Sequence, residues 1–274
     1  MTRSAGGTPG ARGSGAQTGG SYLAGPLGAP GRWRRALREE AATTWRLPPL
    51  LAELVFLVPF VGLVVLGLAR ASLPVYQFLV AEDSLLEWAQ VAGYLVACAA
   101  AAGVAWRLRA SRQSLLGALF ALLALGSLFI AGEEIAWGQR LLGFATPEEL
   151  AAVNHQNEVT VHNVSGLQTA FNVVLLVAGA YAGIGPWIAR RRGAGVPSER
   201  MKLLMPPLFL SSFFFVVFLY KLIRFVLLPE PAFTIVKYGE WPELCMGLGV
   251  ATFAALTIRR LREGPTRAIE GGGR

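Results

Sequence analysis

Six apolar blocks constrain this chain more than any other feature. They run approximately over 49–69, 85–106, 114–137, 166–188, 203–227 and 242–258. A helix needs about 20 residues to cross the hydrocarbon core of a bilayer. In lipid every backbone polar group must be satisfied within the segment, so repeated runs of this length predict helices. The expected fold class is all-α, an integral membrane bundle of six transmembrane helices. Composition agrees: 54% of the 274 residues are hydrophobic and 15% are charged, against about 25% charged in soluble domains.

The placement of the charges predicts an orientation. With the N-terminus in the cytoplasm, all but five of the 25 Lys and Arg residues fall in cytoplasmic segments. The exceptions are Arg70, Arg140, Lys221, Arg224 and Lys237. By the positive-inside rule both termini are expected in the cytoplasm, with the chain multi-pass in the inner (plasma) membrane. The net charge of +8 points toward nucleic acid only until the basic runs are placed beside the apolar blocks. Membrane lipids are therefore the expected partners, and nucleic acid is not. Cys98 and Cys245 both lie in apolar blocks and are expected as buried free thiols rather than a disulfide.

Residues 1–45 are expected to form a disordered cytoplasmic tail, Gly-rich at first and then basic, with an amphipathic approach to the membrane over 32–46. No apolar stretch of a secretory signal follows Met1 within the first 30 residues. The six-helix domain is expected over 46–262, followed by a second cytoplasmic tail over 263–274.

Acids are biased the other way. Glu82, Asp83, Glu87, Glu133, Glu134, Glu148, Glu149, Glu158, Glu230, Glu240 and Glu243 all fall at or beyond the outer boundary. Orientation does not require this, because acids contribute little to topology. For Glu82, Asp83 and Glu240 the positive end of a helix dipole is a sufficient explanation. It does not serve for Glu133 and Glu134, which end a long apolar helix where the dipole disfavours negative charge. Two adjacent acids there cost free energy unless protonated, paired or bound to a cation. On a continuous helix Glu133, Trp137 and Arg140 share one face, which lets Arg140 offset part of the charge.

The outer loop between helices 3 and 4 carries the two histidines of the chain. Thr146-Pro147-Glu148-Glu149 predicts a short interfacial helix with Thr146 as cap and Pro147 at its first position, which accounts for both glutamates. Further on, His155, Glu158 and His162 lie on one face if the segment is helical, a spacing used by metal ligands. The β-branched run Val159-Thr160-Val161 opposes a helix there, and interfacial hydrogen bonding is the simpler role for the histidines. Lys221 and Arg224, one turn apart, serve either to neutralise the glutamates or to hold an anionic headgroup.

The string Gly132-Glu-Glu-Ile-Ala-Trp-Gly-Gln-Arg140, then Thr146-Pro-Glu148 and Asn154 through Asn163, resembles a known pattern. It is the GEEISWGQR, TPE and NxQxExxxHN pattern of an uncharacterised family of bacterial polytopic membrane proteins. Glu82-Asp83 with Glu87-Trp88 is similar to that family too, so the resemblance covers roughly 82–163. It implies a site without naming a reaction. A looser similarity is to intramembrane peptidases of the prenyl-protease and bacteriocin-immunity type, which activate water with a Glu-Glu pair, an Arg and downstream His residues. Here Arg140 stands two places later than that pattern puts it. The Phe one turn before the first His is absent, with Asn157 or Glu158 in its stead.

The expected function is that of a multi-pass membrane protein with an acidic and histidine-containing pocket at the extracytoplasmic face. The leading reading is a metal-dependent hydrolase or transferase acting on a lipid or lipid-linked substrate. Glu133, Glu134 and His162 are its expected catalytic residues. A divalent metal ion is expected on Glu133, Glu134, Glu158 and His162, with His155 as a further contributor. Arg140, Lys221 and Arg224 are expected to bind substrate, and Glu82, Asp83, Glu87, Glu240 and Glu243 to complete the acidic pocket. The alternatives are a cation-binding transporter and an accessory subunit of an envelope complex. Centres of helices 2, 4 and 6 nearly free of charge favour a one-sided site over a transport path.

Overall fold

Apolar blocks of this length form helices, and the computed structural model bears that out over the residues it describes, 31–154, 158–161, 164, 167–191, 199–228 and 236–263. The helices are α1 (Arg32–Thr43), α2 (Pro49–Ala69), α3 (Leu73–Val80), α4 (Leu85–Ala110), α5 (Ser114–Glu134), α6 (Gln139–Leu142), α7 (Glu148–Ala151), α8 (Leu167–Arg191), α9 (Glu199–Leu204), α10 (Ser211–Leu222) and α11 (Glu240–Glu263). Six helical stretches are long and apolar enough to cross a membrane: Pro49–Ala69, Leu73–Ala110, Ser114–Glu134, Leu167–Arg191, Arg200–Phe225 and Glu240–Glu263. Large side chains such as Val64, Leu68, Leu122, Leu125, Val174 and Val177 point outward. Such a surface suits hydrocarbon and not water. This is a multi-pass membrane protein.

α10 is the central helix. The apolar window of Arg200–Phe225 is 67% buried, against 22% for those of Pro49–Ala69 and Leu167–Arg191. It packs on α8, α11 and α2, while α4 packs on α5 and α11. Gly179 and Gly183 let α8 approach α10 backbone to backbone, since a Cβ on either would lie 2.7–2.8 Å from Phe215 N or Phe218 N. Small residues four apart are how membrane helices gain close packing without a hydrophobic drive between them.

Two boundaries differ from the sequence reading. The fifth block was expected as one helix from 203, but Pro206 and Pro207 break it, and the chain resumes as a 3-10 turn (Leu208–Leu210) leading into α10. Residues 32–43, read as basic tail, form α1, whose Leu37 and Ala41 are fully buried against the bundle. Arg34 and Arg38 clamp the carboxylate of Glu53 on α2 with four hydrogen bonds of 2.7–3.0 Å. The remainder of the expected disordered tail, 1–30, and the end of the C-terminal one, 264–274, lie outside the described residues.

Candidate functional site at the acidic end of the bundle

α5 does not run on through Arg140. It stops at Glu134, and Ala136, Trp137 and Gly138 then take up φ values of 46°, 53° and 84°. A left-handed residue with a side chain costs roughly 1–2 kcal/mol, so this turn must be held from outside. Glu133 holds it. Its Oε1 accepts from the Trp137 indole at 2.6 Å, and its Oε2 accepts from the Val161 amide of the following loop at 2.7 Å. The Trp137 ring lies over Gly132, where a Cβ would come within 2.9 Å of it, and edge-on to Phe129. Glu133, Trp137 and Arg140 therefore do not share a helical face. The turn sends Arg140 back beneath the end of α5, where its guanidinium donates to the Glu134 carbonyl at 2.6 Å.

α4 begins beside this turn. Ser84 caps it, and Glu87 reaches back to the Asp83 amide at 2.6 Å, a reciprocal arrangement that the Ser-x-x-Glu spacing allows. The other Glu87 oxygen pairs with Arg140, which also stands 3.7 Å from Asp83. Burial pulls the Arg140 guanidinium's pKa down, but the hydrogen bond from Arg140 to Glu87 and the charges of Glu87, Asp83 and Glu158 outweigh it and hold it above its ordinary value.

α11 brings two more carboxylates. Glu243 pairs with Lys221 of α10 at 2.8 Å, and the buried Lys221 ammonium also donates to Asn172 of α8 at 2.9 Å. Glu240 accepts from Gln90 of α4 at 2.8 Å and from Lys237 at 3.3 Å. Tyr94 donates to the Glu243 carbonyl at 3.1 Å. Trp241 and Tyr238 lock the start of α11 to α2 through the carbonyls of Pro59 and Leu63.

Glu87, Glu240 and Glu243 thus each have a cation of their own, Arg140, Lys237 and Lys221. Glu134 has none. Half-buried, it lies in the field of Glu243, Glu240 and Glu87, opposed by Arg140, whose hydrogen bond goes to the Glu134 backbone. Among the described residues no group donates a hydrogen bond to the Glu134 carboxylate.

The structure brings Glu87, Glu134, Arg140, Lys221, Glu240 and Glu243 together at one end of the bundle, with Asp83 at its edge. Glu82 is exposed, and Glu148 and Glu149 sit in the first turn of α7. Arg224, in a π turn after α10, bonds to Tyr220 rather than joining Lys221. The cap expected at Thr146 is not made. Thr146 accepts from Gln139 at 2.7 Å, and Pro147 precedes the helix.

His155 and His162 lie outside the described residues, as does Glu230. Glu158, expected on a helix, does not lie on one. Residues 158–161 are non-helical, Asn154 bridges Val164, and Asn154 donates to the Thr160 carbonyl at 2.7 Å. The β-branched run there accounts for this. Among the described residues no group of three or more His, Cys, Asp or Glu side chains gathers where a metal ion could be held.

No family model, no curated protein and no solved structure matches this chain. Gln90, Tyr94 and Asn172 belong to the site and escaped the sequence reading. A lone amide or hydroxyl within an apolar block was the available signal, since a polar group in a membrane helix faces other protein.

Proposed function

We propose that the acidic end of this bundle is the catalytic site of a hydrolase or transferase, at the extracytoplasmic face of the plasma membrane, acting on a lipid or lipid-linked substrate. The carboxylate of Glu134, without a cation or hydrogen-bond donor of its own among the described residues, carries this reading. A carboxylate among like charges in a partly dry site is stable when it shares a proton or a cation, which suits it to general-base work. Glu134 takes a proton from water as the water oxygen bonds to the ester carbon or phosphorus of the substrate. The leaving oxygen departs with its electron pair and takes up the proton that Glu134 accepted, which restores the carboxylate. The Nε of Arg140, buried and without a hydrogen-bond acceptor among the described residues, is a donor for developing negative charge.

The surroundings favour a lipid. An apolar groove of about 540 Å³ runs along α2 and ends at Leu86 and Trp241, neighbours in sequence of Glu87 and Glu240. A chain lying in it brings its headgroup to the carboxylates. The polar and charged groups of the site collect at one end of the bundle, whereas the buried Ser127 and Thr257 only bond to carbonyls of their own helices. This favours a one-sided site over a path through the membrane.

The test is turnover. Purified protein in nanodiscs of bacterial lipid extract, with and without added Mg²⁺ or Zn²⁺, is expected to yield a lipid product detectable by mass spectrometry. Glu134→Gln should lower its rate by about 10²-fold or more without loss of thermal stability. No product in any condition, or equal product from Glu134→Gln, overturns the reading. Divalent-cation binding that depends on Glu134 without turnover would point to the cation-binding alternative.

A further inference from the structure

At the opposite end of the bundle lies a cavity that the acidic site does not use. It measures about 310 Å³ and sits between α2, α8 and α10. That is the lower end of the range for small-molecule sites, roughly 300–1,000 Å³. Its walls include the rings of Phe56, Phe60, Trp187 and Phe215, with Ser212 and Arg191 as polar members.

The two serines beside it are not equivalent. Ser211 is satisfied, accepting from the Trp187 indole at 2.8 Å and donating to the Leu208 carbonyl at 2.6 Å. Ser212 is only 1% exposed, and among the described residues its hydroxyl has no hydrogen-bond partner. A buried hydroxyl left unpaired costs free energy, and in a native structure it asks for a missing partner.

Arg191 ends α8 one turn beyond Trp187 and is exposed, and among the described residues it has no carboxylate partner. Counting inward from that end, the cavity offers a guanidinium, then a hydroxyl at the level of Trp187, then aromatic and aliphatic walls. A glycerophospholipid presents its groups in the same order: phosphate, ester carbonyl, acyl chain. A cationic ligand is disfavoured, because Arg191 would repel it and no acid lines the cavity among the described residues.

We propose that this cavity binds one acyl chain of an anionic glycerophospholipid, with its phosphate on Arg191 and its ester carbonyl accepting from Ser212. The site is independent of the acidic cluster and does not depend on the catalytic reading. A lipid wedged between α2, α8 and α10 ties a peripheral helix to the central one.

The experiment is native mass spectrometry of the full chain, delipidated and then offered phosphatidylglycerol, oleate or inorganic phosphate. One phosphatidylglycerol per chain is expected to be retained, and neither oleate nor phosphate should match it. Ser212→Ala and Arg191→Gln should each weaken retention by about 3–10-fold, the worth of one lost hydrogen bond or charge contact. Ser212→Ala removes an unpartnered hydroxyl, so it should fold as the parent does. Arg190→Gln is the control at the same end, because Arg190 already pairs with Glu39 at 2.7 Å. Unchanged phosphatidylglycerol retention in Ser212→Ala and Arg191→Gln overturns the proposal. So does equal retention of oleate or phosphate with the same dependence on the two residues.

Discussion

The indole nitrogen of Trp137 donates to Glu133 at 2.6 Å across a turn in which Trp137 is itself left-handed. With the Val161 amide on its other oxygen at 2.7 Å, Glu133 works as a clamp between the end of α5 and the loop that follows. Gln at this position keeps one acceptor and presents an amide to the other donor. Glu133→Gln is therefore expected to cost about 1–3 kcal/mol, the price of losing one charge-assisted hydrogen bond. Thermal melts and amide exchange at Val161 measure it. Unchanged protection of Val161 would show that the clamp is not needed.

Adjacent in sequence, Glu133 and Glu134 have divergent uses, and this marks where the sequence stops being informative. The spans were legible because the length of an apolar run is a local property, and α2, α5 and α8 start within a residue of their blocks. The site's location was legible too, since two acids after α5 have no favourable dipole. Which acid is spent on structure was not, because that depends on the sign of φ at Ala136 and Trp137. The pairings of Lys221 with Glu243 and of Gln90 with Glu240 join α10 and α4 to α11, and such contacts follow from packing. Arg140 could be assigned to the carboxylates from sequence, but not to Glu87 in particular.

The clamp that docks α1 is asymmetric. Glu53 has a side-chain exposure of 6%, whereas Arg34 and Arg38 stand at 53% and 51%. Removing the acid leaves two arginines that water can solvate. Removing both arginines leaves a buried carboxylate without a counter-charge. The double variant Arg34→Ala/Arg38→Ala is expected to lower the melting temperature more than Glu53→Ala does, and to expose α1 to protease. The reverse order in a thermal-shift series would show that α1 is held by Leu37 and Ala41 alone.

Glu40, on α1 and outside the spans, should make that docking depend on pH. Burial pushes its carboxyl above the ordinary value of 4.5, against weaker opposing effects of the Leu208 amide, the Trp45 indole, Arg190 and Lys202. A raised pKa means that the folded protein holds the proton more tightly than the unfolded chain. The contribution is full below 4.5 and is lost as pH rises through the folded value. Glu40→Gln keeps an acceptor for the Leu208 amide, 2.9 Å away, and removes the titration. Its melting temperature is expected to exceed that of the parent at pH 7, with the difference closing on acidification. Parallel profiles of the two proteins would exclude Glu40 as the source.

Gly62 tests whether the anchoring of α11 shapes the acidic site. A Cβ at this position would lie 1.9 Å from the Trp241 ring. The ring cannot move aside without giving up the 2.8 Å hydrogen bond from its nitrogen to the Pro59 carbonyl. Overpacking of this kind costs about 1–3 kcal/mol. Glu240 and Glu243 flank Trp241 on the first turn of α11, so any displacement carries them away from Gln90 and Lys221. Gly126 on α5 is the control. It has nothing within 4 Å of its would-be Cβ, and there Ala should stabilise the helix by roughly 0.5–1 kcal/mol. Gly62→Ala is thus expected to destabilise the protein and to impair any activity that depends on Glu134, while Gly126→Ala does neither. If Gly62→Ala lowers stability but leaves that activity intact, the geometry of Glu240 and Glu243 is not part of the site's chemistry, and Glu134 acts without them.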